Sequence, residues 1–390
     1  MNQGKYVFAQ LMSLINHKEF TRHVDKYQGN YRVRAFTCWH QFLCMSFGQL
    51  TNRESLRDTV LCLQAHDHKL YHLGLTKGVR KSTLADANEN RDWRIFAEFA
   101  EVLIKQARQL CQTDTEISIE LDNVVYALDA TTIELCLDVF WWAKFRKHKA
   151  AVKLHTLLDV KCEIPCFIHI TDGTVHDVNV LDIIEFEAEA FYVMDRGYID
   201  WSRLYKIHLA GAYFVIRAKE NLAFERIYSR KVDKSTGLRC DQTIRLKGFY
   251  AAKNYPEYLR RIKYYDEEHD QTYVYLTNHF EAEALQITIL YVNRWKVEIF
   301  FKWIKQHLRI KKFWGESPNA VKTQIWIAVC TFVLVAILKY RLNIQHSLNE
   351  ILQILSVSVF DKTPVNQLFM KTDLQKIEGL SSNQLNMFDL

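Results

Sequence analysis

Near residue 300 an acid sits in a stretch otherwise built for burial. The segment YVNRWKVEIFFKWIKQHL, residues 291–308, carries Trp295, Val297, Ile299, Phe300, Phe301, Trp303 and Ile304, yet also Tyr291, Arg294, Glu298 and Lys305. At about 100° per residue on an α-helix, those last four fall within an arc of roughly 60°, with Lys302 just beside it. The rest of the wheel is nearly all apolar, the reverse of an ordinary surface helix. Such a stripe is either a satisfied ion-pair seam in a core helix or the polar edge of a reactive site.

Two further acids have comparable surroundings. Asp129 follows VVYAL and Asp195 follows FYVM, so each lies within or at the end of a buried strand. A carboxylate there is costly unless something positive satisfies it. Three converging carboxylates suit hard divalent cations, which prefer oxygen ligands. A pair of such ions can activate an attacking oxygen and stabilise a leaving one in phosphoryl transfer. Taken singly, an Asp at a strand end reads as a cap or turn residue. Asp159, Asp172 and Asp177 are alternative acids in turn-like contexts, and His155 and His169 read as satisfied core histidines.

The elements that would position these acids begin at Leu121, where the apolar period changes. Residues 123–135, 150–160 and 164–173 read as three successive strands, 177–190 as a helix, 191–195 as a strand, 201–211 as a helix and 212–218 as a strand. The order is βββ, α, β, α, β. A polar and aromatic region of strand-like pieces, 219–284, separates it from the Glu298 helix. Residues 1–115 lack strand alternation and read as helical, with a helix, turn, helix over 31–66 in which Thr51 is a plausible N-cap and Glu54 follows three residues later. From residue 77 a basic loop is expected to run into one long helix, and Lys77, Arg80, Lys81, Ser82 and Thr83 form a compact set of phosphate-type contacts. KFRKHK, which holds Lys144, Arg146, Lys147 and Lys149, reads as a basic hairpin suited to a polyanion or as a solvated turn. The segment 343–390 reads as a short tail.

Composition narrows the class. The chain has 390 residues, 49% hydrophobic and 13% aromatic, with 12 Gly and 4 Pro, which indicates a globular protein of more than one domain. A net charge of +6 permits a polyanionic partner without demanding one. The 9 cysteines form no CxxC pair and no zinc spacing, which argues for reduced thiols in a cytosolic protein. No signal-peptide core opens the sequence, and the greasiest run, 325–338, is about 14 residues, too short to span a bilayer. It reads as a core helix.

At this point the sequence resembles a known family. Tyr291, Arg294, Glu298 and Lys305 fill the pattern Y-x2-R-x3-E-x6-K and look like the YREK signature of bacterial DDE transposases of the insertion-sequence-four family. LDATTI around Asp129 and MDRGY around Asp195 look like that family's first and second catalytic Asp motifs, in the expected order. The resemblance covers residues 120–340, and STLADANENRDW also looks like the DNA-binding region of relatives. It implies an α/β fold: a ribonuclease H-like catalytic core with a mixed sheet, interrupted by a β-rich insertion and preceded by a mainly helical DNA-binding region. The implied divisions are 1–115 for DNA-end binding, 120–218 and 285–342 for the catalytic domain, 219–284 for the insertion and 343–390 for the tail. It further implies Asp129, Asp195 and Glu298 as catalytic metal ligands for Mg2+, with Mn2+ as a substitute. Tyr291 and Arg294 would contact phosphates near the cut and Lys305 would hold the strand beyond it, with Lys302, beside the stripe, a further DNA-binding candidate. The partners would be double-stranded transposon ends and target DNA, with a homodimer in the synaptic complex, no membrane, and a cytoplasmic, nucleoid-associated location. The family's base-holding Trp is absent between Trp201 and Trp295, where Phe249, Tyr250 or Tyr264 could stack instead. The rival readings are a nuclease of the same fold acting without end synapsis, and a DNA-binding derivative with a dead site.

Overall fold

A computed structural model of the chain describes residues 4–75, 78–112, 123–136, 138–146, 149–307 and 313–370. The chain divides into two compact units, residues 1–114 with 304–390, and residues 115–303.

The first unit is helical. Thr37 caps helix Cys38–Leu50 in a capping box with His40, and Ser55 caps helix Leu56–Ala65. Thr51 is therefore not the N-cap expected from sequence. It closes the preceding helix, its hydroxyl donating to the Phe47 carbonyl at 2.8 Å. The long helix expected after residue 77 is two, Lys81–Asn90 and Arg94–Gln112. Asp92 restarts the second by accepting from the Arg94 amide at 2.9 Å. Lys81 to Thr83 thus open a helix rather than lie in a loop.

At the centre of this unit lies helix Pro318–Leu342, capped by Ser317 and buried without interruption from Ile325 to Leu338. It packs on helices Arg94–Gln112, Cys38–Leu50 and Lys81–Asn90. Its 25 residues make it long and apolar enough to cross a membrane, so the length argument from the apolar run does not hold. What marks it as a core helix is burial on all sides by the other helices. Residues 304–342 therefore cluster with the N-terminal helices rather than with the strands. The segment read as a tail adds helix Leu348–Ser358 to the same core, and the Val7 amide donates to the Asp361 carbonyl at 2.8 Å. The expectation of reduced thiols holds for Cys38, Cys44, Cys62, Cys136, Cys166, Cys240 and Cys330, and fails for Cys111 and Cys162, which are disulfide-bonded.

The second unit is built on one mixed sheet: β1 (Val125–Leu135), β2 (Lys144–Arg146), β3 (Lys149–Asp159), β4 (Ile164–Asp172), β5 (Phe191–Met194), β6 (Tyr213–Arg217), β7 (Phe224–Arg230), β8 (Leu238–Leu246), β9 (Leu259–Asp266) and β10 (Gln271–Thr277). The order is β2-β3-β1-β5-β6-β10-β9-β8-β7, with β4 also on β3. β1, β5 and β6 run parallel and the other pairings are antiparallel. Residues 219–284 therefore extend the same sheet through β10.

Strand alternation sends Tyr126, Leu128, Tyr192, Met194, Phe214 and Ile216 into one core with Leu204 and Ile207 of helix Trp201–Leu209. Ala127, Asp129, Val193 and Asp195 take the opposite face. The helix expected over 177–190 is only a 3-10 turn, Asp177–Asp182. Beyond it distant partners claim the backbone: the Glu187 amide donates to the Tyr192 hydroxyl and the Glu189 amide to the Gly211 carbonyl, each at 2.8 Å. Arg260 on β9 donates to both oxygens of Asp241 on β8, at 2.9 and 2.8 Å, and to the Ala282 carbonyl at 2.5 Å. That buried pair ties the added strands to helix Ala284–Val292, which leads into the Glu298 segment.

Deleting residues 1–114 should therefore strip the cover from helix Pro318–Leu342. The truncated chain is expected to aggregate or to bind a hydrophobic dye such as ANS. A monodisperse product with a cooperative melt would contradict this packing. Independently, Asp241→Ala should cost about 3–5 kcal/mol by stranding Arg260, read from denaturant unfolding.

Candidate active site

One residue beyond the last paired positions of β1 and β5, Leu128 opposite Met194, stand Asp129 and Asp195. Parallel register thus sets the two carboxylates side by side on the face away from the core. Asp129 accepts from the Ala130 amide at 2.8 Å. Asp195 caps the 3-10 turn Arg196–Tyr198, accepting from the Gly197 amide at 2.7 Å. A Cβ at residue 197 would lie 2.9 Å from the Asp195 carboxylate oxygen, so any larger residue there would have to displace that side chain.

The segment expected to be one helix is broken. Helix Ala284–Val292, which includes Tyr291, passes through a 3-10 turn, Asn293–Trp295, into helix Lys296–His307. Val297, Phe300, Phe301, Trp303 and Ile304 are buried while Trp295 and Ile299 are exposed. Arg294 sits on the turn. Its Nη1 donates to Asp129 at 2.8 Å and its Nη2 to Glu298 at 2.7 Å. One guanidinium, with its side chain 18% exposed, thus joins a half-buried Asp129 (20% exposed) to an open Glu298 (56% exposed). Tyr291 packs its ring on Tyr275 at 4.7 Å between centroids, and the Arg294 guanidinium lies 5.9 Å from its ring.

The charges are strongly coupled. Burial is the main cause that pushes the Asp129 carboxyl up to about 6, with Asp195 and Glu298 adding to it and the Ala130 amide and Arg294 opposing. For Arg294, burial works against the charge, but Asp129, Tyr291 and Glu298 outweigh it and hold the guanidinium above its usual range. Burial raises the Tyr291 phenol. The three acids offer only oxygen, the donor chemistry of a hard divalent cation. Among the described residues, no three acids, histidines or cysteines are gathered closely enough to chelate one ion, and Arg294 holds two of the acids instead.

The other candidates are spread out. Lys302 and Lys305 are exposed on helix Lys296–His307, and Arg80 and Lys81 are exposed at the start of helix Lys81–Asn90. Lys144 and Arg146 lie on β2, and Lys149 opens β3, pairing with Arg146. Lys77 and Lys147 lie outside the described residues. Phe249 and Tyr250 are strongly exposed. Asp159 and Asp172 cap turns, accepting from Lys161 and Cys162 and from Thr174 respectively. His155 is buried, with one ring nitrogen 3.0 Å from the Thr171 hydroxyl and Nδ1 4.0 Å from the Asp177 carboxylate. Burial presses its pKa down to about 4. His169 is exposed and so is not a core residue. Sequence reasoning missed Tyr198, whose buried hydroxyl has no hydrogen-bond partner among the described residues. Its signal was the MDRGY motif, where it follows Asp195 by three positions.

The mixed sheet sets two aspartates on neighbouring parallel strands, and a later helix brings a glutamate that Arg294 joins to the first of them. A family model described as a transposase DDE domain matches residues 120–334, and the chain belongs to the DDE transposases, enzymes that cleave and transfer DNA strands. Residues 3–76 match a domain of unknown function, DUF4372. A protein named as the transposase y4zB in Sinorhizobium fredii is 31% identical, over 76% of this chain and 79% of its own length. A protein named as the probable transposase of insertion sequence element IS5377 in Geobacillus stearothermophilus is 28% identical over 57% of this chain and 59% of its own. A structure of piggyBac transposase in a synaptic complex with hairpin DNA covers 100% of this chain and 87% of its own at 12% identity, with a TM-score of 0.45.

The Asp129 environment predicts a pH effect on stability. Deprotonation costs more in the fold than in the unfolded chain, where an aspartate titrates near 4. Metal-free protein should therefore lose stability as pH rises from about 4 to about 6, by on the order of 3 kcal/mol for a shift of this size. Asp129→Asn should lack that loss, so its stability relative to wild type should climb across the window. A flat difference between pH 4 and 7 would contradict the environment described.

Proposed function

We propose that this chain is a cut-and-paste transposase of the YREK type, built on a ribonuclease H-like core, that binds the inverted-repeat ends of an insertion sequence and joins them to target DNA. The observation that carries this reading is the Arg294 bridge between Asp129 and Glu298, with Asp195 beside Asp129 by strand register. The sheet order β4-β3-β1-β5-β6 agrees with the core that the sequence leads one to expect.

In this reading Asp129, Asp195 and Glu298 hold Mg2+, or Mn2+ as a substitute. Their oxygen-only donor set fits such ions, and half-buried Asp129 beside two other acids creates a demand for positive charge. Bound metal would supply activation of the attacking oxygen and stabilisation of the leaving one. The protein's own groups do the rest. The rigid sheet fixes the two aspartates. Arg294 supplies the balancing cation before DNA arrives and offers a forked donor to a phosphate afterwards. Tyr291 supports it, and Lys302 and Lys305 hold the strand beyond the cut. Arg80 and Lys81, with Lys77, and the basic hairpin of Lys144, Arg146, Lys147 and Lys149 contact phosphates elsewhere. Two copies would pair the two ends of the element, in a cytoplasmic, nucleoid-associated setting.

Glu298→Gln and Arg294→Ala separate this site from a structural ion pair. Glu298 is open to solvent, so Glu298→Gln should melt within about 0.5 kcal/mol of wild type and bind DNA ends normally, yet fail to nick them with Mg2+. Arg294→Ala leaves Asp129 half-buried without its cation, so it should melt lower and weaken both end binding and nicking. Nicking by Glu298→Gln at the wild-type rate refutes the assignment. End binding should also fall steeply with salt as counterions are released, and binding insensitive to salt would exclude phosphate contacts as its basis.

A further inference from the structure

Asp129 and Asp195 are two members of a row of three. β6 runs parallel to β5, and the last paired positions are Met194 opposite Ile216. Arg217 stands one residue beyond, level with Asp195 as Asp195 is level with Asp129. Leu128, Met194 and Ile216 enter the core, so alternation turns the next residue of each strand to the other face. A cation thus follows the two acids along that face, one strand farther on.

From the row the Arg217 side chain leans outward. Tyr275 of β10 pairs with Arg217, and the guanidinium lies 5.1 Å from the ring of Tyr273, past the end of β6. Tyr273 stacks on Tyr275 at 6.1 Å between centroids, and Tyr275 meets Tyr291 at 4.7 Å. The Tyr291 ring in turn lies 5.9 Å from Arg294. Three tyrosine rings therefore form a file with an arginine at each end. The two arginines are engaged differently. Arg294 holds Asp129 and Glu298, and Arg203, Arg230 and Arg260 of the same unit also pair with acids. Arg217 is half-buried, yet among the described residues its guanidinium makes no hydrogen bond or ion pair. A cation taken partly out of water ordinarily finds a counter-charge. An aromatic face supplies only part of that and leaves the N–H donors available.

We propose that Arg217 is a second phosphate-binding residue of this site: its guanidinium takes a phosphate of the bound DNA strand at the Asp195 end of the row, the end away from Arg294. This rests on the reading of Asp129, Asp195 and Glu298 as the strand-cleaving site. A polyanion brought to three carboxylates meets repulsion, which a cation in the same row offsets, and the planar fork of arginine matches a phosphate. The rival role is a brace between β6 and β10 through the Tyr273 ring.

Full-length wild type, Arg217→Gln, Arg217→Lys and Glu298→Gln are compared by thermal melting, by Mg2+-dependent nicking and by binding to a labelled duplex made from the DNA that flanks the chain's own coding sequence. Binding is followed from about 50 to 200 mM salt. Arg217→Gln should melt within about 4 °C of wild type, since it loses one weak ring contact. Its plot of log affinity against log salt should be shallower by about one, the loss of a single phosphate contact. Arg217→Lys should keep the wild-type slope but bind more weakly, because it keeps the charge and lacks the fork. A wild-type slope in Arg217→Gln overturns the proposal. So does a larger drop in melting temperature in both Arg217 variants, which would make the residue a brace. If Glu298→Gln nicks like wild type, the reading of the site fails and the proposal with it. If Glu298→Gln cannot nick while Arg217→Gln keeps the wild-type slope, the failure is confined to Arg217.

Discussion

Like charges do not gather on half-buried ground without a cation, and this chain gathers them on purpose of its topology. Parallel β1 and β5 end at the same level, so register alone forces Asp129 beside Asp195. The helix after the added strands brings a third acid. Burial above all, and the neighbouring charges of Asp195 and Glu298 after it, raise the cost of ionising half-buried Asp129. Arg294 answers it with two short ion pairs. The same guanidinium thereby fixes where the Glu298 helix meets the sheet.

The surrounding fold keeps that meeting point rigid. On one face of the sheet, Tyr126, Leu128, Tyr192 and Met194 lock into a closed core. The other face is left for the acids. The Asp241–Arg260 pair and the Arg260 contact to the Ala282 carbonyl transmit the position of the added strands to helix Ala284–Val292. The 3-10 turn at Asn293–Trp295 then aims Arg294 at Asp129. The aspartates are fixed by strand geometry, whereas Glu298 stands on an exposed helical position and is held by Arg294. An exchange of cations at this site would therefore move Glu298 more readily than either aspartate.

The strands that carry the acids were legible because apolar runs ending in Asp, and a clear alternation, are local signals. The acids themselves stood out for the same reason. What was not legible depends on distant partners. Residues 177–190 look helical in isolation, but Tyr192 and Gly211 claim their amides. The apolar run in helix Pro318–Leu342 revealed a core helix but not whose core, since its partners lie more than two hundred residues earlier in the chain. The polar stripe at 291–305 suggested phosphate contacts for Arg294. Its engagement with Asp129 follows only from the register of β1 against the incoming turn. Tyr198 was hidden because an unpaired hydroxyl is a property of packing, not of spacing.

In the proposed function, Arg294 stands where positive charge is required and a divalent metal replaces it. Anomalous diffraction from crystals of the full chain grown with Mn2+ tests this most directly. The account predicts a manganese peak bounded by Asp129, Asp195 and Glu298, with the Arg294 guanidinium withdrawn from Asp129. Manganese bound elsewhere, or Arg294 still bridging Asp129 and Glu298 at saturating Mn2+, would contradict it.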